Sequence, residues 1–159
     1  MEAYTDFAAL YDTFMEDTPY EEWCEYIVGL LKKENINDGL ICELGAGTGK
    51  FTRLLRDKGY DMIGIDNSEE MLMIARNNEL AENDDSTGDL LSSNKDLKEI
   101  LYLCQDMREF ELYGTVGAVV SLCDSMNYLT SIETCYLLSV LKVIKTLQTQ
   151  DVVVVFMIK

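Results

Sequence analysis

The chain has 159 residues, 48% of them hydrophobic, and sets 29 Asp and Glu against 13 Lys and Arg for a formal net charge of −16 with no histidine. That length suits one domain with its own apolar core, needing neither a disulfide nor a metal staple. The missing histidine removes most zinc sites and the Ser-His and Cys-His nucleophile pairs, and a strongly acidic chain with scattered Lys and Arg argues against a nucleic-acid partner.

Cysteine usage and the first residues narrow the class. Cys24, Cys42, Cys104, Cys123 and Cys135 are odd in number without a C-x-x-C spacing, and read as reduced, buried thiols. Met1–Pro19 carries Glu2, Asp6, Asp12, Glu16 and Asp17 without a basic segment, so it is not a secretory signal. No apolar run reaches the ~18 residues of a membrane span. The expectation is a soluble, cytoplasmic protein with no membrane partner.

In chain order, Phe7, Leu10, Tyr11 and Phe14 predict a short helix. Thr18-Pro19-Tyr20-Glu21 reads as an N-cap, a proline at the first helical position and a capping-box Glu, opening a helix over 18–35 with Trp23, Tyr26, Ile27, Leu30 and Leu31 on its apolar face. Leu40–Leu44 and Tyr60–Asp66 are short apolar runs, and Phe51, Leu54 and Leu55 keep helical spacing between them, which makes a βαβ unit. Ser68 caps a helix carrying Met71, Leu72, Ile74 and Ala75. The polar stretch Ala81–Lys95 reads as a surface loop. Further strands are expected at Ile100–Cys104, Val116–Leu122 and Val152–Ile158, with a helix from about Ser131 carrying Leu137, Val140, Leu141 and Ile144. Alternating strands and helices predict a mainly parallel, doubly wound α/β sheet.

Chemistry concentrates in Glu43-Leu44-Gly45-Ala46-Gly47-Thr48-Gly49-Lys50, where the first strand turns into a helix. Alternating glycines let a ligand approach backbone, and a helix N-terminus offers unpaired N–H groups. A P-loop would need Gly where Leu44 stands and a hydroxyl where Phe51 stands, so that reading fails twice. A dinucleotide fingerprint keeps Gly45 and Gly47 but meets Lys50 at its third glycine, which leaves a nicotinamide-dependent oxidoreductase as a weakened alternative.

The same residues resemble the first motif of the class I S-adenosylmethionine-dependent methyltransferases, and three more segments follow that family's order. Asp66 ends the second strand 21 residues after Gly45, where the family holds the ribose hydroxyls, and Asn67, Ser68 and Met71 continue its D-x-S-x-x-M pattern. Cys104-Gln105-Asp106-Met107 resembles the third-strand motif, in which the Asp meets the adenine amino group and its neighbour packs on the ring. Leu122-Cys123-Asp124-Ser125-Met126-Asn127-Tyr128 resembles the segment facing methyl donor and acceptor. Taken singly, Glu43 could be a solvated strand-end acid, Asp66 a turn residue and Asp106 an N-cap. The resemblance therefore implies S-adenosyl-L-methionine as cofactor, held by Tyr11, Glu43, Gly45, Ala46, Gly47, Gly49, Asp66, Asn67, Met71, Asp106, Met107, Leu122 and Cys123. It implies Asp124 and Tyr128 as catalytic residues, no metal, and a small-molecule acceptor.

It also implies a Rossmann-like fold with an N-terminal helical lid over residues 1–37 and an S-adenosylmethionine-binding core over 38–159. The family's sheet has seven strands, whereas this sequence reaches a fifth and lacks the usual Pro-Gly-Gly-type turn at Leu147–Asp151, which points to C-terminal truncation or an altered reading frame near residues 143–150. An apolar fifth strand at a sheet edge invites pairing, so a homodimer through it is expected. Two functions follow: methyl transfer by in-line displacement, in which positioning supplies much of the rate, or a donor-binding remnant without turnover.

Overall fold

In the computed structural model, residue 15, residues 18–83 and 98–122, and the backbone of 153–156 are described. The helix expected around Phe7–Phe14, the helix expected near Ser131 and all but the start of Ala81–Lys95 fall outside these residues. The elements are α1 (Tyr20–Lys33), β1 (Leu40–Leu44), α2 (Lys50–Asp57), β2 (Asp61–Asp66), α3 (Glu69–Asn83), β3 (Leu101–Cys104), β4 (Ala118–Ser121) and β5 (Val153–Phe156).

All four strand pairings are parallel, in the order β3-β2-β1-β4-β5. Leu44 pairs with Ile65 and Ser121, and Asp66 with Cys104, so the carboxyl ends of the strands form one rim. The chain winds outward from β1 to β2 and β3, then returns to place β4 on the other side of β1. That reversal makes the rim between β1 and β4 the topological switch point, the usual ligand position in such sheets. β5 has a strand neighbour on one side and forms an edge of the described sheet, the place from which the homodimer expectation arises.

The central strands are buried on both faces, as parallel strands under crossover helices must be. On one face Ile41, Met62, Ala118 and Val120 pack against Ile27 and Leu31 of α1, Phe51 and Leu55 of α2 and Leu72 and Ala75 of α3. On the other, Cys42, Leu44, Ile63, Ile65 and Val119 are covered by Phe110 and Val116, with Met107 and Leu112 at the margin. Among the described residues the helices all lie on the first face.

Local signals explain the ends of the helices. Asn35 takes φ 62°, and Ile36 N donates to Leu31 O at 2.9 Å while Asn35 N donates to Lys32 O at 3.1 Å, which closes α1 as a Schellman motif. Gly59 at φ 103° ends α2 the same way, with Gly59 N on Arg56 O at 2.8 Å. Tyr60 Oη then reaches Ile36 O at 3.0 Å and ties the two ends together.

Four expectations need correction. The capping box at Thr18 does not form: Pro19 is the N-cap with ψ 62°, and Thr18 Oγ1 faces Met15 Sδ at 3.9 Å. Proline takes the cap position itself, which leaves Thr18 one residue too early to reach the first-turn amides. The apolar stripe of α1 is also rotated, burying Cys24, Ile27, Val28 and Leu31 and leaving Tyr26 exposed. Slim side chains face the sheet, while Trp23 packs edge-on against Tyr20 at 5.9 Å between centroids. Residues 81–83 of the expected loop continue α3. Finally, Cys24 and Cys42 are buried free thiols but Cys104 is exposed, because it ends an edge strand and turns toward Asn67 O at 3.8 Å.

Candidate functional site

The corner after β1 is anchored from below. Gly45 N and Ala46 N both donate to Ile65 O, at 2.8 and 2.9 Å, and Gly49 N donates to Ala46 O at 2.9 Å. Gly47 N donates to Asp66 Oδ2 at 2.9 Å. These four amides point into the protein, not outward as free donors, and a phosphate cradle depends on outward amides. The N–H groups of Gly45, Ala46, Gly47 and Gly49 are thus engaged within the protein, whereas the expectation of unpaired N–H groups concerns the start of α2.

Two glycines have separate reasons to be glycine. Gly49 sits at φ 73° as N-cap of α2, and a Cβ there would run into Tyr102 Oη and come within 3.0 Å of Ala75 Cβ. Gly47 takes φ 54°, and a Cβ on it would meet nothing within 4 Å. Gly47 is thus the open face of the corner, where backbone can lie against a ligand.

Asp66 is the other half of the site. Its Oδ1 accepts from Ser68 N at 2.9 Å and its Oδ2 from Gly47 N at 2.9 Å, so both oxygens are fixed and each keeps a further lone pair. A carboxylate held in that way suits two neighbouring hydroxyls. Ser68 Oγ accepts from Met71 N at 3.3 Å, the cap expected for α3. Asn67 is exposed and Met71 half-buried beside it. Gln105 N donates to Asp66 O at 3.0 Å, which brings the segment after β3 to the same rim.

Glu43 lies behind the corner. It is 2% exposed, its Oε2 accepts from Thr52 Oγ1 of α2, and burial pushes its carboxyl up to about 8, with nearby Asp66 adding to the rise against the Thr52 hydrogen bond and the Arg53 charge. It faces α2 instead of open space, so any action on a ligand passes through the corner. On the β4 side, Ser121 Oγ donates to Leu44 O at 3.0 Å, and Leu122 is buried just beyond.

Asp106 is engaged by a residue absent from the sequence reading. Its Oδ1 accepts from Arg108 N at 2.8 Å, and Arg108 Nε lies 2.9 and 3.0 Å from its two oxygens. Gln105 Oε1 accepts from Glu111 N at 2.8 Å and pins this turn, and Met107 is half-buried against the second core. Thr52, Arg53, Tyr102 and Arg108 were missed; an Arg two residues after an Asp was the one local signal available. The structure brings Gly45, Ala46, Gly47, Gly49, Asp66, Asn67, Met71, Asp106, Met107 and Leu122 to one rim, with Glu43 buried behind it. Tyr11, Cys123, Asp124 and Tyr128 lie outside the described residues.

A parallel sheet in this order, with a glycine corner after β1 and a doubly anchored acid ending β2, defines a Rossmann-like α/β fold of the class I methyltransferase type. Residues 41–146 match the family described as "Methyltransferase domain". The chain belongs to that family, whose class I members use S-adenosylmethionine. It is 39% identical over 127 residues to YqeM of Bacillus subtilis (strain 168), named as a methyltransferase of unproven activity, the match taking in 79% of this chain and 44% of YqeM. A protein of Geobacillus sp. (strain WCH70), named in the same way, is 30% identical over 127 residues, with 79% and 46% covered. The chain thus spans less than half the length of these two relatives. Among solved structures, an S-adenosylmethionine-dependent methyltransferase from Clostridium acetobutylicum ATCC 824 superposes with a TM-score of 0.74 at 23% identity, covering 97% of this chain and 56% of that one. The sugar N-methyltransferase KedS8 from Streptoalloteichus gives 0.72 at 18% identity, covering 92% and 52%. Among the described residues no helix is long and apolar enough to cross a membrane.

Proposed function

We propose that the chain binds S-adenosylmethionine at the rim of β1, β2 and β3 and takes part in transferring its methyl group to a small-molecule acceptor. The observation that carries this reading is Asp66, with one oxygen fixed by the glycine corner and the other by Ser68 N. A doubly anchored carboxylate beside an inward-turned loop fits a ribose diol and suits a pyrophosphate poorly. That contrast favours the adenosyl sulfonium over a dinucleotide.

The residues fit the cofactor as follows. Asp66 accepts from the ribose hydroxyls, Gly47 gives the close backbone approach, and Asp106 and Met107 hold the adenine from the turn after β3. When bound, the cofactor supplies an electrophilic methyl on a sulfonium. What the chain contributes is orientation, since alignment of acceptor and methyl can supply much of such a rate. Anchored Asp66 sets a negative field that favours the cationic donor over its neutral product. Asp124 and Tyr128, which the resemblance implies as catalytic, complete the proposal as the groups that assist an acceptor that must lose a proton.

Calorimetric titration tests it. S-adenosylmethionine and its demethylated product should both bind, and NADH should give no heat. Absence of donor binding by a chain that melts cooperatively, or binding of NADH instead, would overturn the reading.

A further inference from the structure

Beneath the glycine corner lies a charged cluster that donor recognition does not use. Arg53 and Arg56 project from α2, and both are buried. Arg56 Nη2 lies 3.0 Å from Asp57 Oδ1 and from Glu82 Oε2, and its Nη1 lies 3.5 Å from Glu79 Oε1. Glu79 Oε1 also accepts from Ile100 N at 3.1 Å, one residue before β3. Arg56 therefore joins α2 to α3 and β3 without touching the corner. Arg53 differs from it in one respect. Its Nε donates to Glu82 Oε1 at 2.8 Å, while its Nη1 reaches back five residues to donate to Thr48 O at 2.9 Å.

We propose that Arg53 is a positioning residue for the donor corner, its guanidinium holding the Thr48 carbonyl from below while α3 holds the guanidinium. Thr48 lies between Gly47 and Gly49, the two residues whose placement sets the open face of the corner and the start of α2. The Thr48 carbonyl shares its peptide plane with the Gly49 N–H, which donates to Ala46 O, and Ala46 O in turn shares its plane with the Gly47 N–H that orients Asp66. Tyr102 completes the floor: its ring passes Gly64, where an added Cβ would come 2.8 Å from Cδ1, and its hydroxyl stands under Gly49. The planar fork of arginine is what lets one side chain serve Thr48 and Glu82 together, which the single ammonium of lysine cannot do in the same geometry. This inference rests on the donor reading for its purpose but not for its geometry.

Amide hydrogen exchange on the ligand-free full chain tests the geometry, comparing Arg53→Met, Arg53→Lys and Glu82→Gln with the parent. Arg53→Met should speed exchange of Gly45, Ala46, Gly47 and Gly49 by about tenfold, the size of one lost hydrogen bond to a charged group. Arg53→Lys should give an intermediate gain. Glu82→Gln keeps an oxygen to accept from Arg53 Nε and so leaves Arg53 held on Thr48, but it removes the charge that Arg56 shares, so its corner amides should exchange as in the parent even though its melting temperature falls. Titration with S-adenosylmethionine well below the melt should then show Kd rising about tenfold in Arg53→Met and little in Glu82→Gln. Corner exchange unchanged in Arg53→Met, or raised equally by Glu82→Gln, would overturn the proposal and reduce Arg53 to a helix-packing residue. If the parent itself binds no donor while the exchange pattern holds, the donor reading falls and the positioning role of Arg53 stands.

Discussion

Glu43 makes stability depend on pH in a direction opposite to most carboxylates. In the unfolded chain it ionises near 4.5, and in the folded chain burial holds its proton up to about 8. Below 4.5 both states are protonated and Glu43 costs nothing. As pH rises from there, the unfolded state releases the proton and the folded state keeps it, so stability falls by about 1.4 kcal/mol per pH unit and levels off above 8. Summed over that interval the loss is roughly 4–5 kcal/mol, against a typical total of about 5–15 kcal/mol for a domain. Glu43→Gln keeps a carbonyl oxygen for the Thr52 hydroxyl and removes the ionisation. The assay is urea unfolding of parent and variant at pH 5, 6.5 and 8, read as the difference between them so that other groups cancel. The range stops below 9, where Cys24 and Cys42, pushed up to about 11 and about 12, would begin to cost stability as their unfolded thiols ionise. The variant should match the parent near pH 5 and exceed it by several kcal/mol at pH 8. A difference that does not change with pH would refute the argument, and would mean that water reaches Glu43.

Gly49→Ala should lower stability by roughly 2–3 kcal/mol through left-handed strain and overpacking, and Tyr102→Phe should recover part of that loss by removing the hydroxyl in the way, as thermal melts of the double variant would report. Gly64→Ala should gain nothing from Tyr102→Phe, because its clash is with the ring carbons Cδ1 and Cε1 that phenylalanine keeps. Arg56→Met should cost about 3 kcal/mol by leaving Glu79 a buried, unpaired charge, with part regained in the Arg56→Met/Glu79→Gln pair, measured by denaturant unfolding. Asp66→Asn should weaken S-adenosylmethionine binding by about tenfold or more in calorimetry, since the amide accepts through one oxygen where the carboxylate offers two.

The sheet was legible because its residues obey strong local rules. Leu40–Leu44 was read with the boundaries it has, since a β-rich apolar run stopped by Gly45 leaves no alternative. β2, β3 and β4 were each read one to three residues too long, because apolar residues just outside the ladder, Tyr60, Ile100 and Val116 before it and Leu122 after it, are buried as well. The start of α1 was misread because proline suits both the cap and the first turn, and ψ at Pro19 decides between them. The charged layer between α2 and α3 could not be read. Arg53, Arg56 and Glu79 look in sequence like the solvated face of two amphipathic helices, and their burial follows from how those helices lie side by side over β2, with exposed Glu82 bridging both arginines. Arg108 escaped notice for a similar reason, since its partner is defined by a turn and not by a period.

The glycine segment shows why a motif that reads as ligand-binding is largely about the protein itself. The peptide N–H groups of Gly45, Ala46 and Gly49 are spent on Ile65 O and Ala46 O, and Gly49 is required by Tyr102 and Ala75 rather than by a ligand. Gly47 alone among the segment's glycines combines a left-handed φ, open space at its Cβ position and a hydrogen bond to Asp66. Substitution at Gly49 should therefore show first in the melt, and substitution at Gly47 first in donor affinity. Gly47→Ala pays left-handed strain of about 1–2 kcal/mol with no clash, so its melting temperature should fall less than that of Gly49→Ala while its S-adenosylmethionine Kd rises more. The reverse order would mean that the ligand reads Gly49, and that the open face of the corner lies on the other side of Thr48.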